Sequence, residues 1–300
     1  MGILEGLILG AIQGISEFLP ISSSGHLALF GNVILPAHAS MDLFTEVLLH
    51  LGTLAAVLIV FAREAFPVFL SPFTAIGVWR REGRSGLLSH APLRLLGLVL
   101  LASLPAAVIG LMFEHDIEAL VRQPAIVAAL LAITGLILLG ANWMATHRTG
   151  DRDKASPGIG DAILIGLAQA FAILPGISRS GMTISMGLVR AISREMSGVF
   201  SFLLFVPAIA GATLLQVLKL LKSAGETSIS ASLLPDPIFI LFGNHTASGF
   251  IPAYHISGFL GAFVVGLIAL TLLVRLLKAG RFHWFGWYCL AASLFWTLVH

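Results

Sequence analysis

Long runs of Leu, Ile, Val, Ala and Phe alternate along this chain with short polar intervals, and six runs reach the length that crosses a hydrocarbon core. They fall at about 41–62, 93–113, 124–145, 198–222, 254–278 and 283–300. Two further stretches, 1–35 and 158–192, are apolar but broken by Gly, Pro and Ser, and they hold Glu17, His26 and Arg179. Such sequence suits a helical hairpin that dips into the bilayer and returns to the face it came from. Irregular backbone at that depth survives only where it is buried in protein or lines a wet cavity. Residues 64–80 are too interrupted to span and are expected in the interface, while 146–160 and 223–253 read as polar linkers.

The two broken stretches repeat each other at an offset of 156 residues. GAIQGISEFLPISSSGH from Gly10 matches GLAQAFAILPGISRSGM from Gly166, with Gln13 on Gln169, Ser22 on Ser178, Ser24 on Ser180 and Gly25 on Gly181. Glu5 and Asp161 also align, each where a carboxylate favours a helix N-terminus. The same shift lays FTEVLLHLGTLAAV from Phe44 on FSFLLFVPAIAGAT from Phe200. Each half is thus one hairpin and three crossings: 1–145 with its hairpin at 1–35, and 157–300 with its hairpin at 158–192. Three is odd, so the second half is expected upside down. The predicted fold is an all-α polytopic membrane protein, a single domain over 1–300, with an inverted-topology repeat, about six transmembrane helices and two re-entrant helical hairpins.

Charge placement agrees with that topology. No Lys or Arg precedes Arg63, and most of the seventeen basic residues, among them Arg80, Arg81, Arg84, Arg148, Lys154, Arg190, Arg194, Arg275 and Lys278, fall on one side of the predicted spans. The positive-inside rule makes that side cytoplasmic and puts both termini outside. The first hairpin then enters from outside and the second from inside, and their tips can meet near the midplane. Composition fixes the solvent as lipid: 57% of residues are hydrophobic, 11% charged, and mean hydropathy is +0.97. A lone cysteine, Cys289, excludes an internal disulfide and a CxxC metal or redox site. Nothing suggests nucleic acid as a partner. The N-terminus lacks a basic leader and is expected to belong to the mature fold.

An ionisable group inside a membrane reads as functional. SSSGH (22–26) and SRSG (178–181) each follow a Pro at a helix end and open a new helix, whose free N–H groups make an anion site. Two such sites converging from opposite faces would cage a phosphate or diphosphate through Ser22, Ser24, Gly25, Ser178, Ser180 and Gly181. Arg179 supplies a planar fork for phosphate oxygens. Gln13 and Glu17 share a helix face at i, i+4. Glu17, Ser23 and His26 are expected to gather in one short turn, with Ser23 as nucleophile, His26 as its base and Glu17 orienting the histidine. Glu17, with Gln13, offers oxygen to Mg²⁺ or Ca²⁺, though one carboxylate makes a thin site without substrate phosphates. Gln169 reads as structural. Glu46 and His50 read as a local pair, with cavity lining as the alternative.

The run EGLILGAIQGISEFLPISSSGHL, with PGISRSGMTIS and SREMSGVFSFLLFVPAIAGAT, resembles the bacterial undecaprenyl-diphosphate phosphatases, the bacitracin-resistance type of membrane phosphatase, over the whole chain. That resemblance implies removal of the terminal phosphate of undecaprenyl diphosphate, giving undecaprenyl phosphate and inorganic phosphate, in recycling the cell-wall lipid carrier. It implies a site opening to the periplasmic side of the bacterial inner membrane and a divalent cation. The family's (E/Q)xxxE, SSxGH and PGxSRSG motifs carry over here as Gln13 with Glu17, Ser22 with Ser23, His26, and Arg179. Many members have Glu where this chain has Gln13, and Gln where it has His50.

Inverted repeats with hairpins meeting at mid-membrane also suit an alternating-access carrier. A transporter or flippase of a polyprenyl phosphate lipid, using the same cage, is therefore the alternative. The type 2 phosphatidic acid phosphatases, whose PSGH motif SSSGH superficially matches, are excluded. No basic motif precedes Arg63, and SRSGMTISM lacks the His and Asp that should follow. Oligomeric state is not written in these features, and a homodimer is allowed.

Overall fold

The structure, a computed structural model, describes residues 2–27, 43–113, 123–148, 153–228 and 253–299, with Ile117 and Leu120 between them. Eleven named helices occur among these: α1 (Ile3–Phe18), α2 (Leu43–Val60), α3 (Ala62–Phe69), α4 (Ser71–Ser89), α5 (Ala91–Met112), α6 (Pro124–Thr146), α7 (Ile159–Phe171), α8 (Arg179–Val189), α9 (Arg194–Ser228), α10 (Ala253–Lys278) and α11 (His283–Val299). Residues 23–27 are also helical. Among the described residues there is no strand, only an isolated bridge between Lys154 and Ile192. The protein is all-α.

Among the described residues four helices are long and apolar enough to cross a membrane: α5, α6, α10, and α9 over Arg194–Leu218. A fifth crossing is available if α2 and α3 count as one span, although they bend by 97° at Phe61. The sixth expected span coincides with α11, which has 17 residues. At 1.5 Å per residue that is about 26 Å, short of the ~30 Å core. Residues 64–80, expected as a broken interfacial segment, fold into α3 and the first half of α4. Pro72 falls in the first turn of α4, where no N–H is needed, and Gly83 at φ +64° kinks that helix. Phe73 and Trp79 stand exposed on it.

Backbones approach closely where glycines align. On α1, a Cβ at Gly6 or Gly10 would lie 2.2 Å from the carbonyl oxygen of Tyr254 or Gly258 on α10, and one at Gly14 would lie 2.7 Å from the Gly266 nitrogen. Only hydrogen fits there, which is how small residues let membrane helices pack without a hydrophobic drive. In the second half, α7 packs on α5, where a Cβ at Gly166 would meet the Ala102 oxygen at 2.5 Å. Helices α6 and α11 pair with each other, again glycine to glycine, at Gly135 and Gly286. Each hairpin's leading helix therefore rests on a long helix from the opposite half. An aromatic cluster closes the core beneath the first hairpin. There Phe18 meets Phe202 and Phe205 edge-on at 5.9 Å, and Phe61 stacks on Phe202 at 5.1 Å.

Candidate active site

The two hairpins start alike. Gly2 and Gly158 take nearly the same extended backbone, and each donates its N–H to a carboxylate three residues on, Glu5 Oε2 at 2.7 Å and Asp161 Oδ2 at 3.0 Å. Both aligned carboxylates thus sit at helix N-termini as read from the sequence. Asp161 is held further, by Lys154 Nζ at 3.0 Å and Arg190 Nε at 2.8 Å. Burial alone would raise this carboxyl. The Gly158 N–H, Arg190 and Lys154 together outweigh it and keep the group below the usual carboxylate range. Nearby, the Arg148 guanidinium donates to the Leu188 and Val189 carbonyls at 2.8 and 2.9 Å, closing the end of α8.

The tips also match. Pro20 offers no N–H to continue α1 beyond Leu19, while α7 ends at Phe171, four residues before Pro175. Ser22 Oγ accepts from the Gly25 N–H at 3.3 Å and Ser178 Oγ from the Gly181 N–H at 3.1 Å, so each serine caps the helix that follows. Ser22 and Ser24 hydroxyls lie 3.3 Å apart, as do those of Ser178 and Ser180. The tips touch: a Cβ at Gly25 would come 3.4 Å from Gly176 Cα, and one at Gly181 3.3 Å from Pro20 Cβ. The second turn spends its left-handed residue on Gly176, φ +95°, whereas the first places Ser22 at φ +70°. A side chain in that region carries strain of order 1 kcal/mol.

Across the junction the Glu17 carboxylate pairs with the Arg179 guanidinium through Oε1 and Nη2. Gln13 Nε2 donates to the other oxygen, Oε2, at 3.1 Å. The Arg179 guanidinium also sits 4.3 Å from the centre of the Phe205 ring, a cation–π contact. Three buried groups here have a polar atom with no partner among the described residues: Gln13 Oε1, Arg179 Nη1, and both amide atoms of Gln169.

Two connected spaces meet at this pair. A polar cleft of about 70 Å³ lies between the turns, walled by Ser22, Ser23, Ser24, Ser178, Glu17 and Arg179. A larger cavity of about 470 Å³ shares Glu17, Ser23 and Arg179 with it and runs on between α5 and α9 past Ala106, Gly110, Ala208 and Leu215. A small polar chamber that opens into a long, mostly apolar one fits an amphiphile with a compact anionic head.

A family model described as bacitracin resistance protein BacA matches residues 6–295. The chain belongs to the BacA family. Relatives of like length are similar from end to end. A protein of Rhodopirellula baltica named undecaprenyl-diphosphatase is 36% identical over 300 residues, covering 99% of this chain and 98% of its own. Proteins of the same name from Desulforapulum autotrophicum (36% over 297 residues, 98% and 97%) and Korarchaeum cryptofilum (35% over 295 residues, 98% of each) resemble it as closely along their length. These names favour the hydrolase over the carrier alternative.

In this BacA-family chain Glu17, Gln13, Ser22, Ser23, Ser24, Arg179, Ser178, Ser180, Gly25 and Gly181 gather at the two touching turns. His26 does not join them as the sequence suggested. Its Nδ1–H donates to the Ser22 carbonyl at 2.8 Å, its Nε2 accepts from the Tyr288 hydroxyl at 2.8 Å, and the two rings stack. Both ring nitrogens are thereby engaged, so the Ser23–His26–Glu17 chain is not assembled. Glu46 and His50 do not pair through their side chains. His50 Nδ1 bonds the Glu46 carbonyl at 2.9 Å and the ring lines the large cavity. Sequence reading missed Tyr288 and Phe205, which sit in apolar runs with no local signal.

Proposed function

We propose that the protein is an integral-membrane phosphatase that hydrolyses undecaprenyl diphosphate to undecaprenyl phosphate and inorganic phosphate. The observation that carries this reading is the Glu17–Arg179 pair, set beside Ser23 where the polar cleft opens into the apolar cavity. The diphosphate occupies the cleft, with its tail along the cavity. Arg179 is charged at any working pH and prefers a phosphate, with two oxygens to fork, over a single carboxylate oxygen. Substrate therefore draws Arg179 from Glu17 and leaves that carboxylate free beside Ser23. Glu17 then takes a proton from Ser23 or from a water. The resulting oxygen attacks the terminal phosphorus, the anhydride P–O bond breaks, and the lipid phosphate departs with that bond's electrons. The free N–H groups of the turns and Arg179 hold the charge on the equatorial oxygens, which is most of what phosphoryl transfer requires. On the serine route, water later releases the phosphate from Ser23. His26 acts as a positioning residue, bracing the strained Ser22 through its carbonyl.

A divalent cation, Mg²⁺ or Ca²⁺, belongs to the same reading. Among the described residues no three His, Cys, Asp or Glu side chains cluster to hold one. Glu17 and the unpartnered Gln13 Oε1 fit as two neighbouring oxygen donors in a site that substrate phosphates complete. Such a cation would neutralise charge on the phosphate oxygens.

Topologically, the reading is an inverted repeat of 1–145 and 157–300 with six crossings and two re-entrant hairpins. It is supported by the matching starts and tips of the hairpins and by the reciprocal packing of α1 on α10 and α7 on α5. The gathering of basic residues on one side of the spans supports a cleft that opens on the periplasmic side of the inner membrane. The test is phosphate release from undecaprenyl diphosphate by purified protein in detergent with Mg²⁺ or Ca²⁺. The expected result is turnover that Glu17→Ala and Arg179→Ala each lower by about 10³. No release by the wild type, or full activity in both variants, overturns the assignment.

A further inference from the structure

Gln13 and Gln169 are the same residue of the repeat, yet their surroundings differ. The amide of Gln13 is committed to Glu17, four residues on and one turn along the same face. The residue four after Gln169 is Ile173, whose side chain can accept nothing. Gln169 is 3% exposed, and neither its Nε2 nor its Oε1 has a partner among the described residues. Its side chain lines the large cavity together with Glu17, Ser23 and Arg179. Buried amides are nearly always bonded, and one left bare is a standing cost that invites explanation. Packing does not explain it. A leucine or methionine would fill the same volume without burying two bare polar atoms.

We propose that Gln169 is a substrate-binding residue whose carboxamide becomes satisfied only when the diphosphate is present. Its Nε2–H₂ donates to a non-bridging phosphate oxygen from the large cavity, whose lining Gln169 shares with Glu17, Ser23 and Arg179. Its Oε1 accepts from Arg179 Nη1, the guanidinium nitrogen that also lacks a partner. A neutral donor suits this place, because it adds a hydrogen bond to a strongly anionic head without pairing permanently with Glu17 as a second cation would. The duplication thus gave two glutamines different duties, one tied to the carboxylate and one held for the ligand.

The proposal rests on the phosphatase reading, and two measurements on the full-length protein in detergent separate them. The first is the steady-state kinetics of Gln169→Leu and Gln169→Met on undecaprenyl diphosphate. KM is expected to rise roughly tenfold, as for loss of a hydrogen bond to a charged group, with kcat within about threefold of wild type. The second is the melting temperature with and without inorganic pyrophosphate. Ligand-free Gln169→Leu is expected to melt at or above the wild-type temperature, since bare polar atoms are removed, while the upward shift given by pyrophosphate disappears. A wild-type KM together with a wild-type pyrophosphate shift overturns the proposal. So does a lowered ligand-free melting temperature in both variants, which would show that the amide has structural partners. If Leu alone fails to fold, Met carries the test. Failure of the wild type to turn over lipid overturns the phosphatase reading, and the pyrophosphate shift still decides Gln169.

Discussion

The two hairpins share a start, a turn and a cap, and they differ in what holds them. The second is anchored at its base by Asp161 with Lys154 and Arg190, is closed at its far end by Arg148, and is pinned at its tip by Thr134, which bonds both the Gly176 carbonyl and the Ser178 N–H. Its one left-handed tip residue is a glycine. The first has a carboxylate cap at its start, a serine forced into the glycine region at its tip, and a histidine and a tyrosine bracing that turn. Of the two, the firmly tied copy presents the permanent charge, Arg179, and the strained copy presents the titratable and hydroxyl groups, Glu17 and Ser23. The two similar turns thus divide the work, one holding a fixed charge and the other the reactive groups.

Four changes test that division, from the largest effect to the smallest. Arg179→Ala removes what the rigid hairpin delivers, and kcat is expected to fall by about 10³, as when a preorganised charge stabiliser is lost. Phosphate release at saturating lipid measures it. Asp161→Asn loosens the anchor without touching the site; stability should fall by ~1–3 kcal/mol, after discounting for the half-exposed Lys154 and Arg190, and show as a lower melting temperature in detergent. The pH sign follows from the carboxyl lying below its usual value. The Asp161 contribution is fully present above about pH 4 and is lost as pH falls through the lower folded value, so the Asn variant should lack that portion of the wild-type acid melting. Substituting Ser22 separates strain from capping. Both Ser22→Ala and Ser22→Gly lose the hydroxyl, and the Gly variant should be the more stable by about 1 kcal/mol because only glycine adopts the turn freely. Equal stability would mean that the turn is not strained. Tyr288→Phe should cost least, less than tenfold in turnover. If it costs as much as His26→Ala, the brace works through the tyrosine's hydroxyl.

Much of this was legible in the sequence because a repeat carries its own alignment. The offset of 156 placed Glu5 on Asp161 and the paired serines on each other, and all of them make equivalent hydrogen bonds. Polar residues in lipid are rare enough that Glu17 and Arg179 could be singled out before any fold was known. The pairing between them, 162 residues apart in sequence, was not legible, and nor was the pull of Tyr288 on His26 across 262. Short-range spacing suggested that Ser23 and His26 would face each other. Instead both ring nitrogens of His26 are taken, by the Ser22 carbonyl and the Tyr288 hydroxyl. Residues 64–80 read as broken because of their prolines; the stretch is helical, with Pro72 in the first turn of α4 where a helix tolerates it, yet neither α3 nor α4 is by itself long and apolar enough to span.

The glycine seam along α1 has an outcome for how the protein comes into being. Gly6, Gly10 and Gly14 meet a helix made almost two hundred and fifty residues later, so the first hairpin emerges long before the surface that will receive it. Until α10 is inserted, that bare stripe must wait in the bilayer. A chain severed between α6 and α7 should therefore recover function only when both pieces are synthesised together, each lending the other its missing wall.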